Sequence, residues 1–357
     1  MRGASYRVLA WLLLATAPAP AGEILAGAGA TFPDPLYRRW VEAYARTRDV
    51  RVRYEAVGSG QGIRRLLDRT VDFGATDAFL TAAELEAAPA PILHVPSALG
   101  AVAISYNLPG DPVLDLTPDL VADIFLGRIR TWSDPRLGAA AGKVRLPSQE
   151  IAVVHRADSS GTTFVLTDYL TKVNARWRSE VGRGKTVRWP VGMGVDGNVR
   201  VADTLRQIPG SFGYVEFGHA QANRLPAARL RNRSGRFVAP TLAAVSAAAA
   251  VELPEDTRVS ITDTAAADGY PVSSFTWIIL YREQAYDGRS RARAAELQQW
   301  LWWMSHDGQA FSGPLGYGSL PTTAVHRVEV ILRSMTHGGG ALDALPVDAP
   351  KDGRTAP

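Results

Sequence analysis

Apolar residues recur along this chain with two alternating periods. Leu36, Trp40, Val41 and Tyr44 share one face of a 3.6-residue repeat, which predicts a helix after Pro33. Asp34 is its expected cap, with Pro35 at the first helical position. Val50, Val52, Tyr54 and Ala56 alternate, as in a half-buried strand. Gly58-Ser59-Gly60-Gln61-Gly62 breaks that strand, and Ile63, Leu66 and Leu67 begin another helix. Val71 to Ala75 reads as a short strand ending at Thr76-Asp77. The same grammar continues downstream. Strands are expected at Ala98 to Tyr106, Ile151 to Val154, Ser211 to Phe217 and Phe275 to Tyr281. Helices are expected around Leu120 to Phe125, Thr162 to Val173, Thr241 to Val251 and Leu297 to Met304. Trp300, Trp302 and Trp303 on the last of these read as core rather than as a stacking platform. Strand, loop and helix alternate throughout, which is the α/β pattern. No internal repeat of fixed period is visible.

Composition narrows the function classes. The chain has 357 residues, enough for about two domains. Its apolar fraction of 46% can fill a sizeable core. The absence of cysteine excludes disulfide scaffolds, thiolate metal sites, cysteine nucleophiles and lipidation on a cysteine. The formal charge of +4 is mild, and its arginines are scattered, so nucleic acid is not an expected partner. Residues 1–21 read as a secretory signal peptide. Arg2 and Arg7 form a basic start, Val8 to Ala17 an apolar stretch too short to span a bilayer, and Ala19-Pro20-Ala21 a cleavage site. Its removal takes two arginines and no acid, so the charge falls to +2. The expected compartment is a periplasm.

Four segments carry candidate chemistry: Ala28 to Phe32, Gly58-Ser59-Gly60, Thr76-Asp77 and Arg156 to Thr162. Each places small residues, hydroxyls and free backbone N–H groups at a strand mouth or a helix start. Such a place attracts anions, because the first N–H groups of a helix are unpaired and carry partial positive charge. Other chemistries fit less well. Gly58, Gly60 and Gly62 resemble a dinucleotide turn, but Ile63 stands where that fingerprint needs glycine. His155, Asp158 and Ser160 are the residue types of a hydrolase triad, yet they lie on one short loop without a nucleophile elbow. The six histidines show no metal-ligand spacing, so neither a metal nor another cofactor is expected, and His155 reads as a loop residue.

Taken together, these stretches are highly specific. Gly27-Ala28-Gly29-Ala30-Thr31-Phe32-Pro33, Gly58-Ser59-Gly60, Val71 to Ala78, Leu146-Pro147-Ser148, Ile151 to Thr162 and Phe212-Gly213-Tyr214-Val215-Glu216 stand in the order expected of one family. The chain resembles the periplasmic phosphate-binding proteins of phosphate-specific ABC transporters. The resemblance covers most of the chain and fades after about residue 335. It implies a two-lobe periplasmic binding protein fold of type II, with a ligand cleft between lobes joined by crossing strands. It implies one lobe from residues 22–98 plus 275–340, a second from 99–274, and a disordered tail at 341–357. Ala98 to Tyr106 and Pro271 to Tyr281 are the expected crossings. Family ligands carry over onto Thr31, Phe32, Ser59, Asp77, Arg156, Ser160, Gly161 and Thr162, with Asp158 orienting the arginine. Gly60 and His155 depart from the family pattern, which often has a second serine and a second arginine there. The implied function is non-enzymatic: a monomer that binds inorganic phosphate and delivers it to a membrane permease. Arsenate binding and a phosphatase-like activity are the alternatives.

Overall fold

The computed structural model describes residues 24–48, 50–342 and 344–345. The expected signal peptide lies outside them. Eight strands build the main sheet: β1 (Ile24–Gly29), β2 (Arg51–Ala56), β3 (Phe73–Thr76), β4 (Ile92–Tyr106), β5 (Ala152–Arg156), β6 (Met193–Val195), β7 (Ser211–Glu216) and β8 (Ser273–Tyr281). Their spatial order is β2-β1-β3-β8-β4-β7-β5-β6. At each end the strands pair in parallel, β2 and β3 with β1, and β6 and β7 with β5. The middle is antiparallel. β8 pairs with β3 and β4, and β4 pairs with β7.

β4 connects the two halves. From Ile92 to Ala101 it pairs with β8, and from Val102 to Tyr106 with β7. Both β4 and β8 therefore sit in mid-sheet, as expected of crossing strands. β8 is buried along its whole length, because a strand covered on both faces reads as a continuous apolar run. β4 starts six residues earlier than its apolar pattern indicated. Pro96 lies in that added part and cannot donate to a ladder. A register shift opposite it, between Thr276 and Trp277 of β8, accommodates the proline.

The helices that matter for function begin at strand ends. These are α1 (Asp34–Tyr44), α2 (Ser59–Leu67), α3 (Gly161–Val173), α4 (Gly197–Gln207) and α5 (Phe217–Ala222). α6 (Arg291–Ser305) packs behind the first half, where Trp300 meets Phe73 with ring centroids 4.7 Å apart. Trp302 and Trp303 are half-buried against the same core. Burying such a ring stabilises the fold by about 1.5–3 kcal/mol.

Four expectations change. Pro33, not Asp34, occupies the cap of α1, and Asp34 turns to pair with Arg38 one turn later at 2.9 Å. α2 begins at Ser59, so the glycine loop is itself the first helical turn. His155 lies on β5 and not in a loop, with its ring stacked on Trp189 at 4.9 Å. Beyond Gly338 the chain still packs: Gly340–Ala341 pairs with Thr336–His337, and Leu342 is buried. The disordered tail expected from 341 is therefore not found over these first residues, and most of that stretch lies outside the described residues.

Candidate functional site

The strand mouths and helix starts singled out by sequence converge on one place. Thr31 and Phe32 join β1 to α1, Ser59 opens α2, and Asp77 follows β3. Facing them, Arg156 ends β5 and Ser160-Gly161-Thr162 starts α3. Thr31, Phe32, Ser59, Asp77, Arg156, Ser160 and Thr162 are all buried, and Asp77 is only 2% exposed.

Local chemistry explains each placement. Gly58 has φ +93°, a conformation few other residues adopt, and it lets α2 begin with Ser59 facing the cleft. Ser160 caps α3 by accepting the backbone N–H of Thr163 at 3.1 Å. Arg156 is held as a fork: Nε donates to Asp158 Oδ1 at 2.6 Å and Nη2 to Asp158 Oδ2 at 2.5 Å. Asp158 also accepts the Gly197 N–H at 3.2 Å, at the start of α4. Two of the three guanidinium nitrogens of Arg156 are thus engaged by Asp158. Nη1 of Arg156 is left to reach Thr162 Oγ1 at 3.3 Å.

Asp77 is the other charged group. Thr276 donates to its Oδ1 at 2.8 Å, and Ser59 Oγ lies 3.4 Å from its Oδ2. Burial pushes its pKa up to about 7, against the lowering effects of Thr276, Arg156 and Ser59. Near neutral pH this carboxyl can therefore hold or release a proton.

The two walls touch. A Cβ placed on Gly161 would lie 2.3 Å from Ser59 Oγ and 2.4 Å from Asp77 Oδ2, so only glycine fits there. Gly60 N–H donates to the Ser159 carbonyl at 2.9 Å. Lys185 pairs with Glu84 at 2.6 Å across the mouth.

Sequence reasoning missed a second layer. Asn198 on α4 bonds Thr31, Thr162 and the backbone of Glu216. Glu216, fully buried, caps α5 by accepting from the N–H groups of Gly218 and His219, and its Oε2 lies 3.1 Å from the Tyr317 hydroxyl. Burial pushes its pKa up to about 8. Tyr317 donates to the Phe32 carbonyl at 2.8 Å, and His219 Nε2 donates to the Thr31 carbonyl at 3.1 Å. Glu216 lay in a stretch singled out above, without a role. Nothing local marks the others.

The triad residue types do not form a triad. His155 Nδ1 bonds the Arg156 carbonyl at 3.1 Å, Asp158 is taken by Arg156, and Ser160 by its cap. Among the described residues no cluster of acidic and histidine side chains could hold a metal ion.

The fold and the site together define a two-lobe substrate-binding protein of the type II periplasmic kind. Comparisons agree. Residues 14–307 match the PBP superfamily domain. A high-affinity periplasmic phosphate-binding protein solved with phosphate shares the fold, with TM-score 0.70 and 24% identity over 86% of this chain and 93% of that one. A Clostridium perfringens protein described as a putative phosphate ABC transporter substrate-binding protein gives TM-score 0.61 and 18% identity over 84% of this chain and 100% of that one. The phosphate-binding protein PstS of Pasteurella multocida is 35% identical, covering 86% of this chain and 89% of its own. PstS of Haemophilus influenzae is 34% identical, covering 92% and 97%. The chain belongs to the family of PstS phosphate-binding proteins.

Proposed function

We propose that this chain binds inorganic phosphate between its lobes and delivers it to the membrane permease of an ABC transporter for import. One observation carries the reading. A buried carboxyl, Asp77, sits close enough to a buried arginine, Arg156, to feel its charge, among the hydroxyls of Thr31, Ser59 and Thr162 and the first turns of α2 and α3. A protonated oxyanion needs both. Its P–OH donates to Asp77, its charge is offset by Arg156, and its bare oxygens accept from hydroxyls and N–H groups. Thr31, Phe32, Ser59, Asp77, Arg156, Ser160, Gly161 and Thr162 are the proposed contacts. Residues 22–98 with 275–340 form one proposed lobe and 99–274 the other. Closure excludes water and strengthens every contact.

The protein is proposed to act as a periplasmic monomer and not as an enzyme. Among the described residues no helix is long and apolar enough to cross a membrane.

Calorimetric titration with phosphate, arsenate and sulfate tests the reading. Phosphate should bind more tightly than sulfate. Arg156→Met should weaken phosphate by at least about a hundredfold, since a hydrogen-bonded charge contributes ~1.5–3 kcal/mol and its loss also strips the anion of its counter-charge. Wild-type strength in that variant would overturn the site. A chromogenic phosphoester assay on the same protein should show no turnover.

A further inference from the structure

Asn198 stands in the first turn of α4 and is fully buried. Its Oδ1 accepts the backbone N–H of Glu216 at 3.0 Å. A backbone N–H can only donate, so this bond fixes which end of the amide is oxygen. Nδ2 is turned the other way. It donates to Thr31 Oγ1 at 3.0 Å and to Thr162 Oγ1 at 3.1 Å. One of those hydroxyls belongs to each wall of the cleft. Each receives a second donor as well. The backbone N–H of Asn198 reaches Thr31 Oγ1 at 3.3 Å, and Arg156 Nη1 reaches Thr162 Oγ1 at 3.3 Å.

A hydroxyl has two lone pairs and one proton. Both lone pairs of Thr31 Oγ1 and of Thr162 Oγ1 are therefore filled by N–H groups. Among the described residues neither hydroxyl donates to a protein acceptor. The proton is all that each has left to offer.

We infer that Asn198 is a positioning residue that sets ligand specificity. It holds Thr31 and Thr162 as obligate donors to bare anion oxygens and ties the two walls together through them. The inference rests on the phosphate reading above and adds to it. An unconstrained threonine hydroxyl accepts as readily as it donates, so it would also receive a ligand's O–H. With both threonines committed as donors, Asp77 is left to accept the ligand's proton. Ligand orientation in the cleft is then decided by an amide that need not touch the ligand.

The test compares four variants by calorimetry with phosphate, with the ligand-free melting temperature of each measured in parallel. Asn198→Ala should weaken phosphate by about tenfold to a hundredfold, the worth of two oriented hydrogen bonds. Asn198→Asp keeps the shape but turns the donor into an acceptor, which would draw both hydroxyl protons away from the ligand. It should bind more weakly than Asn198→Ala. A packing role predicts the opposite order. A double-mutant cycle separates hydroxyl orientation from simple charge repulsion. In a Thr162→Val background the loss caused by Asn198→Ala should shrink by at least about threefold. If the alanine variant does not fold, Asn198→Ser takes its place in the cycle, with the same non-additivity expected. Additive losses, or an aspartate variant that binds as well as the alanine one, overturn the inference while wild-type binding still supports the phosphate reading. A wild-type protein that does not bind phosphate overturns both.

Discussion

Sulfate binding should depend on pH through a single carboxyl. Sulfate carries no proton near neutrality, so its oxygens can only accept. An ionised Asp77 offers it a second acceptor and a like charge, whereas a protonated Asp77 offers a donor. With its pKa raised to about 7, Asp77 is about nine-tenths protonated at pH 6 and about one-tenth at pH 8. If sulfate needs the protonated form, its affinity falls roughly tenfold over that range. Asp77→Asn should remove the slope. Thr276 donates to Oδ1 at 2.8 Å, which holds that end of the new amide as oxygen and turns the NH2 group toward Gly161 and the ligand. The variant then presents a donor at every pH. Relief of an unmatched acceptor is worth about 1–3 kcal/mol, and more where charge is involved, so sulfate affinity at pH 8 should rise at least about tenfold. Phosphate, which brings its own proton, should lose affinity. Calorimetry with both anions at pH 6, 7 and 8, on wild type and variant, reads all of this. The same slope in both proteins, or an unchanged phosphate-to-sulfate ratio, would refute the role given to Asp77.

Two further outcomes follow from the same geometry. Gly161→Ala should fold yet resist closure, because its Cβ meets Ser59 Oγ and Asp77 Oδ2. The overpacking cost of about 1–3 kcal/mol predicts a tenfold to hundredfold loss of phosphate affinity, and small-angle scattering should show less compaction on adding phosphate than in wild type. Undiminished compaction would show that the contact gives way freely. Asp77→Asn should also stabilise the ligand-free protein in a pH-dependent way. The folded pKa of Asp77 lies above its unfolded value, so its stabilising contribution is full below about 4 and is lost as pH rises through about 7. The variant's gain should be absent near pH 4 and reach on the order of 2–4 kcal/mol at pH 8, seen as a rising difference in melting temperature. A difference that does not change with pH would mean Asp77 is not held in its neutral form by burial.

Much of the site was legible because its chemistry is local. Ser160 caps the helix it begins, Asp158 grips an arginine two residues away, and Gly58 turns the chain into α2. Residue type and position relative to a strand end suffice for such roles. The connecting layer was not legible, because its partners are remote in sequence. Asn198 meets Thr31 across 167 residues, and Tyr317 meets Phe32 across 285. An asparagine after a glycine, or a tyrosine between glycines, has many uses, and only its neighbours choose one. The early part of β4 was missed for another reason. Pro96 reads as a strand breaker unless its own strand bulges beside it, as β4 does at Ser97.

The sequence alone determined the α/β class and the anion-seeking segments, because periodicity, caps and glycine turns act within a few residues, while the resemblance to a family rested on the order of its motifs. Tertiary structure alone decided that those segments form two opposed walls. It made β4 a strand shared by both halves, raised the pKa of Asp77 by removing water, and filled the lone pairs of Thr31 and Thr162 so that only their protons remain. Burial and hydrogen-bond direction are properties of neighbours, and neighbours distant in sequence exist only once the chain is folded.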